Sequence, residues 1–428
     1  MKDNMNNASN TSVPSATQSV RNKQALVVLG CALGMGGGFA ALYFSTLGIF
    51  LKPLSEEFSW GRAQTSAATV LSMLGMAIGA VLVGRLIDRM GAKRVLAGSV
   101  CLMAALTAMM SQLQGNVVHV AALSFAIGFV GVATTPLGYL AVLTRWFEGR
   151  LGLALGVSMM GLGIGTVVFP IVAQAFISQW GWRGAYMSLA LVALGLGAVA
   201  WFLLFVMAGA PPSVQTINET AQTVAPESEG ETLKQAMRTT RYWGVVVILF
   251  LVSAAGLGAV VHTAAFLTDS SISKDMAAKA VALSGLGVVL GRLIAGALMD
   301  KYSAARVGAA AFLLGGIGLS IMASVSPTLV AMLMLGVFLA GFAIGAEGDF
   351  IPFIVRRYFG MRSFGTIYGT LFGVYALGGL AGPIAFGVSF DRMGSYSPAF
   401  TVAAAACVAG AIATLFLGKY RFASPKAH

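Results

Sequence analysis

The sequence predicts an all-α polytopic membrane protein with twelve transmembrane helices in two pseudo-symmetric six-helix bundles. Three observations carry this. The 428 residues are 57% hydrophobic and only 10% charged, where a soluble domain carries about 25% charged residues. Apolar runs long enough to cross a hydrocarbon core of about 30 Å as helices recur along the chain. Two separate motifs also repeat at one constant offset. A transmembrane barrel would instead show short alternating segments.

The expected spans lie near 26–51, 63–87, 95–113, 117–143, 151–178, 184–208, 243–267, 278–299, 306–324, 329–355, 364–389 and 398–418. Residues 1–24, rich in Asn, Ser and Thr, read as a disordered tail rather than a signal peptide. The polar stretch 209–241 reads as a linker that divides the spans six and six, and 419–428 as a second tail. Arg and Lys collect in alternate loops, such as Arg89, Lys93 and Arg94, or Arg356, Arg357 and Arg362. This positive-inside pattern places both termini in the cytoplasm. The net charge of +12 then records orientation and implies no nucleic-acid partner.

Cys31, Cys101 and Cys407 fall within spans and read as small core residues without metal-ligand spacing. No clustered nucleophile and base stands out, which argues against an enzyme. No Walker-type sequence supports ATP-driven transport. No metal or cofactor is expected.

The repeat joins the halves. Gly84 and Asp88 in "GRLIDRMG" match Gly296 and Asp300 in "GALMDKYS". Arg145, Trp146, Phe147 and Arg150 in "RWFEGR" match Arg357, Tyr358, Phe359 and Arg362 in "RYFGMR". All pairs are 212 positions apart. Such repeats mark secondary transporters, whose site lies between the halves near the midplane.

"GRLIDRMGAKR" (84–94) resembles the signature loop of the major facilitator superfamily, and "GRLIAGALMDK" (291–301) its degenerate copy. The resemblance covers about 25–420. It implies a gating set of Gly84, Asp88, Arg89, Gly91, Arg94 and Asp300. Asp88 would hold one gating state through a helix-end dipole and pairing with loop arginines. A solvated acid that only aids topology is the alternative.

"RWFEGRLGLALGVSMMGLGIG" (145–165), "GIFLKPLSEEFSWGRAQTS" (48–66) and "GAEGDFIPFIVRRYFGMRSFGTIYG" (345–369) are similar to the bacterial monocarboxylate and oxalate–formate porters. That branch implies the bacterial inner membrane. In those porters an arginine of the eighth span binds the substrate carboxylate, a role carried to Arg292. Two features differ from relatives: Ser45 stands near a family lysine position, and the eleventh span has no lysine. A monocarboxylate is therefore favoured over a dicarboxylate.

Charges within the spans are costly, roughly 2.5–3.5 kcal/mol each on insertion scales, and so mark function. Arg292 precedes Asp300 by eight positions and lies about 12 Å deeper. Its guanidinium stays charged and offers a planar donor fork that fits a carboxylate. Glu347 lies about 13 Å above Arg356, at similar depth. Asp349 projects to the opposite side of the helix. Glu347, Asp349 and His262 are the proton-carrier candidates, with Glu347 favoured for the cavity. A purely structural polar contact is the alternative for the acids, as permanent neutralisation of an acid is for Arg292. Tyr43, Tyr139, Tyr368 and Tyr375 offer hydroxyls to a bound carboxylate or serve as packing. Gly161 and Gly165 make a close-packing face.

The expectation is a proton-coupled symporter of small organic anions, monocarboxylates foremost, working by alternating access in a lipid bilayer. An organic-anion exchanger or efflux carrier is the alternative, and a transport-like metabolite sensor a more distant one.

Overall fold

The computed structural model describes residues 15–60, 62–147, 151–210, 229–324, 326 and 329–422. Without water to satisfy the backbone, a lipid-spanning chain must bond within itself, and these apolar runs do so as helices. Numbered by crossing, α1 combines Ser15–Gly36 with Leu47–Phe58 across the π-turn Phe39–Tyr43. α2 is Arg62–Met90 and α3 Ala92–Met109. α4 combines Val117–Gly131 with Pro136–Trp146. α5 and α6 are the two arms of Leu151–Phe202.

In the second half, α7 is Thr240–Asp269, α8 Lys274–Lys301 and α9 Ala304–Ser324. α10 is Val330–Ile354, α11 Phe364–Met393 and α12 Ser397–Leu415. Eleven runs among the described residues are long and apolar enough to cross a membrane, and one of them, Leu151–Met207, has 57 residues. That is about 85 Å of helix, far more than one crossing needs. The chain turns at Gly181 (φ 66°, ψ 175°), a conformation suited to glycine, so this run crosses twice and the crossings number twelve.

The halves repeat in their packing as well as in their motifs. A Cβ on Gly75 or Gly79 of α2 would stand 2.1 or 2.3 Å from the carbonyl oxygen of Phe125 or Phe129 on α4. Gly287 and Gly291 of α8 meet Phe338 and Phe342 of α10 in the same way, at 2.4 and 2.1 Å. Gly161 and Gly165 of α5 press on the α1 backbone at Ala32 and Gly36.

The polar segments differ from their expected form. α1 starts at Ser15, inside the stretch expected to be disordered, and Gln24 Nε2 donates to the Trp146 carbonyl at 3.3 Å. Residues 1–14 lie outside the described residues, as do 211–228 of the linker and 423–428 of the second tail. The rest of the linker is structured. Glu231 N donates to Phe359 O and Met361 N to Glu229 O. A capping box of Thr232 and Gln235 starts a one-turn helix, Leu233–Ala236. Arg421 pairs with Glu231, while Arg421 N and Phe422 N donate to Arg357 O. Backbone groups that polarity alone assigns to loops are satisfied here by the α10–α11 turn.

At the other end, the α5–α6 turn is tied to the end of α1. Glu57 accepts from Trp182 Nε1 at 2.5 Å and Arg183 Nη1 at 2.6 Å. These bonds, Trp182 first, hold the Glu57 carboxyl below its ordinary range. A carboxylate with a depressed folded value stabilises the fold fully above its unfolded value and loses that contribution as pH falls through the folded one. Acidification below about pH 4 is therefore expected to loosen this corner, read as a change in tryptophan emission. Glu57→Gln should lack that component.

Candidate functional site

The basic ends of the two halves meet through two matching crossings. At the first, Gly84 of α2 lies against Gly365 of α11, and a Cβ on Gly84 would stand 2.1 Å from Gly365 O. Four residues on, Asp88 accepts from Gly365 N at 2.8 Å, Thr366 N at 2.6 Å and Thr366 Oγ1 at 2.5 Å. At the second, Gly152 of α5 lies against Gly296 of α8. There Asp300 accepts from Gly152 N at 2.8 Å and Leu153 N at 3.2 Å. Each aspartate thus caps the first turn of a helix from the other half, where backbone N–H groups have no helical partner and the dipole favours an anion. Arg356 Nη1 adds a bond across the halves, to the Phe147 carbonyl at 2.5 Å.

Deeper along α8, Arg292 is half-buried, and its Nη1 is enclosed without a hydrogen-bond partner. The guanidinium lies against Gly348 of α10: a Cβ there would stand 3.4 Å from Arg292 Cζ and 3.3 Å from Met159 Cε of α5. Glu347 and Asp349 flank Gly348 and are buried at 1% and 0% exposure. Glu347 Oε1 and both Asp349 oxygens lack hydrogen-bond partners. Among the described residues, Arg292 makes no ion pair with either acid. Burying polar groups without direct partners costs stability.

The two acids have different surroundings. Asp349 lies within electrostatic reach of Arg292 and Asp300, whereas Glu347 is near Tyr375 and Cys407. An electrostatic interaction with Arg292 is thus recorded for Asp349, while the guanidinium itself lies against Gly348, between the two acids. Tyr368 feels the charges of Asp349 and Arg292, and Tyr375 those of Glu347 and Arg292.

The remaining expected residues have contacts of their own. Tyr43 donates to Ser124 Oγ at 3.0 Å within the first half. Tyr139 packs its hydroxyl end onto Gly34 of α1. His262 Nε2 sits 3.0 Å from Pro383 O, between Phe386 and Tyr396. It lies about 10 Å from the end of α7, whereas Arg292 is about 27 Å from the facing end of α8. Gly91 (φ 81°) starts α3 in a conformation suited to glycine. Arg89 and Arg94 are exposed, and among the described residues no arginine pairs with Asp88; the helix end takes that place. Arg150 lies outside the described residues. The sequence reading missed Gly152, Gly365, Thr366, Gly348 and Met159. A usable signal for two of them existed, since a glycine follows Arg150 and Arg362 within three residues in both loops.

A family model for the major facilitator superfamily matches residues 33–270. The chain belongs to that superfamily. It is an integral membrane protein of a transporter family, not an enzyme. Among curated relatives, it is 25% identical to the gallate transporter of Pseudomonas putida, covering 80% of this chain and 84% of that one. It is also 25% identical to monocarboxylate transporter 11 of Homo sapiens, over 90% of this chain and 81% of that one. The proton:xylose symporter XylE superposes with a TM-score of 0.70 at 13% identity, over 94% of this chain and 97% of that one. This last likeness shows the fold.

Gly365→Val places a side chain where even a Cβ would stand 2.6 Å from Gly84 O and 2.8 Å from Asp88 Oδ1. Overpacking of this kind costs about 1–3 kcal/mol, here charged to the crossed state alone. Spin labels at Met90→Cys and Tyr302→Cys, both exposed, should report a wider separation in the variant, in a background with the three native cysteines replaced.

Proposed function

We propose that the chain is a proton-coupled symporter of small organic acids, monocarboxylates foremost, whose carboxylate is held by Arg292. The observation that carries this reading is the guanidinium itself: half-buried, seated on Gly348, and paired with neither adjacent acid. A permanently charged planar donor with free bonding capacity beside two unpartnered acids suits a visiting carboxylate. One proton carried by an acid of this pair, Glu347 foremost, suits the same site, since it balances the anion's charge. Anion and proton then cross with no net charge, which avoids moving a charge through the bilayer.

The names of the relatives support the substrate class, including a gentisate transporter of Corynebacterium glutamicum at 24% identity. Tyr368 and Tyr375 lie within electrostatic reach of Arg292, and the Phe372 ring stacks on Tyr375 at 5.6 Å. Aromatic company of this kind suits the flat ring of an aromatic acid as well as a short aliphatic one. Asp88 and Asp300 act as the gating pair, each releasing a helix end when the halves separate at their basic side. That side faces the cytoplasm by the positive-inside pattern.

The test is uptake into proteoliposomes of labelled lactate, pyruvate, benzoate and 4-hydroxybenzoate, with and without an inward proton gradient. Gradient-stimulated uptake of one of them is expected. Arg292→Ala should raise KM by about 10- to 100-fold, the worth of hydrogen bonds to a charged group, with folded protein retained. Glu347→Gln should abolish gradient-driven accumulation while leaving exchange intact. Normal uptake by Arg292→Ala, or uptake that requires a preloaded anion, would overturn the reading.

A further inference from the structure

The two crossings share a backbone geometry but not an electrostatic one. On α8, Arg292, Gly296 and Asp300 follow one another at four-residue spacing and lie on one face. The position of a Cβ on Gly296 is 2.6 Å from Gly152 O and 3.3 Å from Asp349 Oδ2. The missing side chain thus admits Asp349 of α10 between the substrate arginine and the capping aspartate, at the seam with α5. Asp349 is fully buried and neither of its oxygens has a partner.

The α2 counterpart is different. Ala80, Gly84 and Asp88 occupy the matching stripe. The residue matching Asp349 on α4 is Leu137 by the motif offset, or Pro136 by the helix contacts, which run one position longer. Neither ionises. The first crossing therefore has its capping aspartate and, at the matching position, no acid behind it.

We propose that Asp349 is a positioning residue that makes the α5–α8 crossing proton-sensitive, while the α2–α11 crossing is not. The groups facing it are Arg292 and Asp300 from α8 and Tyr368 from α11, with the Gly152 carbonyl from α5. Glu347 lies on its own helix, and Arg357 is within reach of Asp300. A neutral Asp349 leaves Asp300 free to hold the Gly152 and Leu153 N–H groups. An ionised Asp349 is a charge that the closed seam leaves without water or a hydrogen bond, beside the Gly152 carbonyl of the other half, and it is hydrated only when the halves part. Raising the pH therefore favours separation at the basic side. One consequence rests on the reading of Arg292 as the anion site: a bound carboxylate and a proton on Asp349 strengthen each other's binding, because one guanidinium cannot counter two negative charges.

The experiment uses the full chain in nanodiscs without substrate, so its outcome is independent of the anion assignment. Electron-spin distances between labels at Met90→Cys and Tyr302→Cys are measured from about pH 5 to about pH 9. The wild-type background should show a rise of about threefold or more in the separated population as pH increases. Asp349→Asn should hold the low-pH distribution throughout, and Asp300→Asn should lose the pH response. Asp349→Glu should keep the response, which shows that the site tolerates substitution. Asp88→Asn should raise the separated population at every pH and keep the pH response. A wild-type distribution that ignores pH, an Asp349→Asn variant that still responds, or loss of the response in Asp88→Asn would overturn the proposal.

Discussion

Two aspartates that each cap a helix of the opposite half hold this molecule in the form seen here. Helix ends carry N–H groups that cannot bond within the helix, and near a bilayer water is a poor substitute. Asp88 and Asp300 supply the acceptors from across the interface. Their reach depends on glycine. At Gly84–Gly365 and Gly152–Gly296 the backbones approach so closely that any Cβ would strike a carbonyl oxygen. Close approach and charge–dipole contact therefore stand or fall together, which is the behaviour a two-state interface requires.

That crossing also sets the depth and company of the buried charges. Once Gly152 meets Gly296, Gly156 lies beside the Arg292 backbone, and Met159 reaches Gly348. The guanidinium is thereby set against Gly348 of α10, with its Nη1 enclosed. Its neighbours do not neutralise it by direct bonding. In a fold with no further demands, burying Arg292, Glu347 and Asp349 without mutual hydrogen bonds would be a plain loss of stability. The arrangement is reasonable where the missing partners arrive and leave.

Much of the architecture was legible in the sequence because the physics behind it is one-dimensional. Span length, loop charge and the 212-residue offset need no knowledge of which helix touches which. The paired aspartates were legible for the same reason. What the chain could not reveal was facing. Depth puts Glu347 level with Arg292, but only the structure shows that the guanidinium sits on Gly348 and that Asp349 Oδ2 lies at the gap left by Gly296. Tyr43 looked available until Ser124 stood opposite it. The polar ends misled in the other direction. Composition assigns them to loops, but the α10–α11 turn offers backbone partners to Glu231, Arg421 and Phe422, and that contact is non-local.

The repeat carries one further lesson about cause. The α2–α4 and α8–α10 contacts use equivalent glycines and equivalent carbonyls, and both crossings close in the same way. The first half achieves this with Ala80 and Thr135 where the second has Arg292 and Glu347. One scaffold therefore forms with and without the buried charges. Packing and capping account for the fold in both halves. They do not account for an arginine and two acids in one half only, and a polar cluster that the fold does not need is where chemistry with a solute is to be sought.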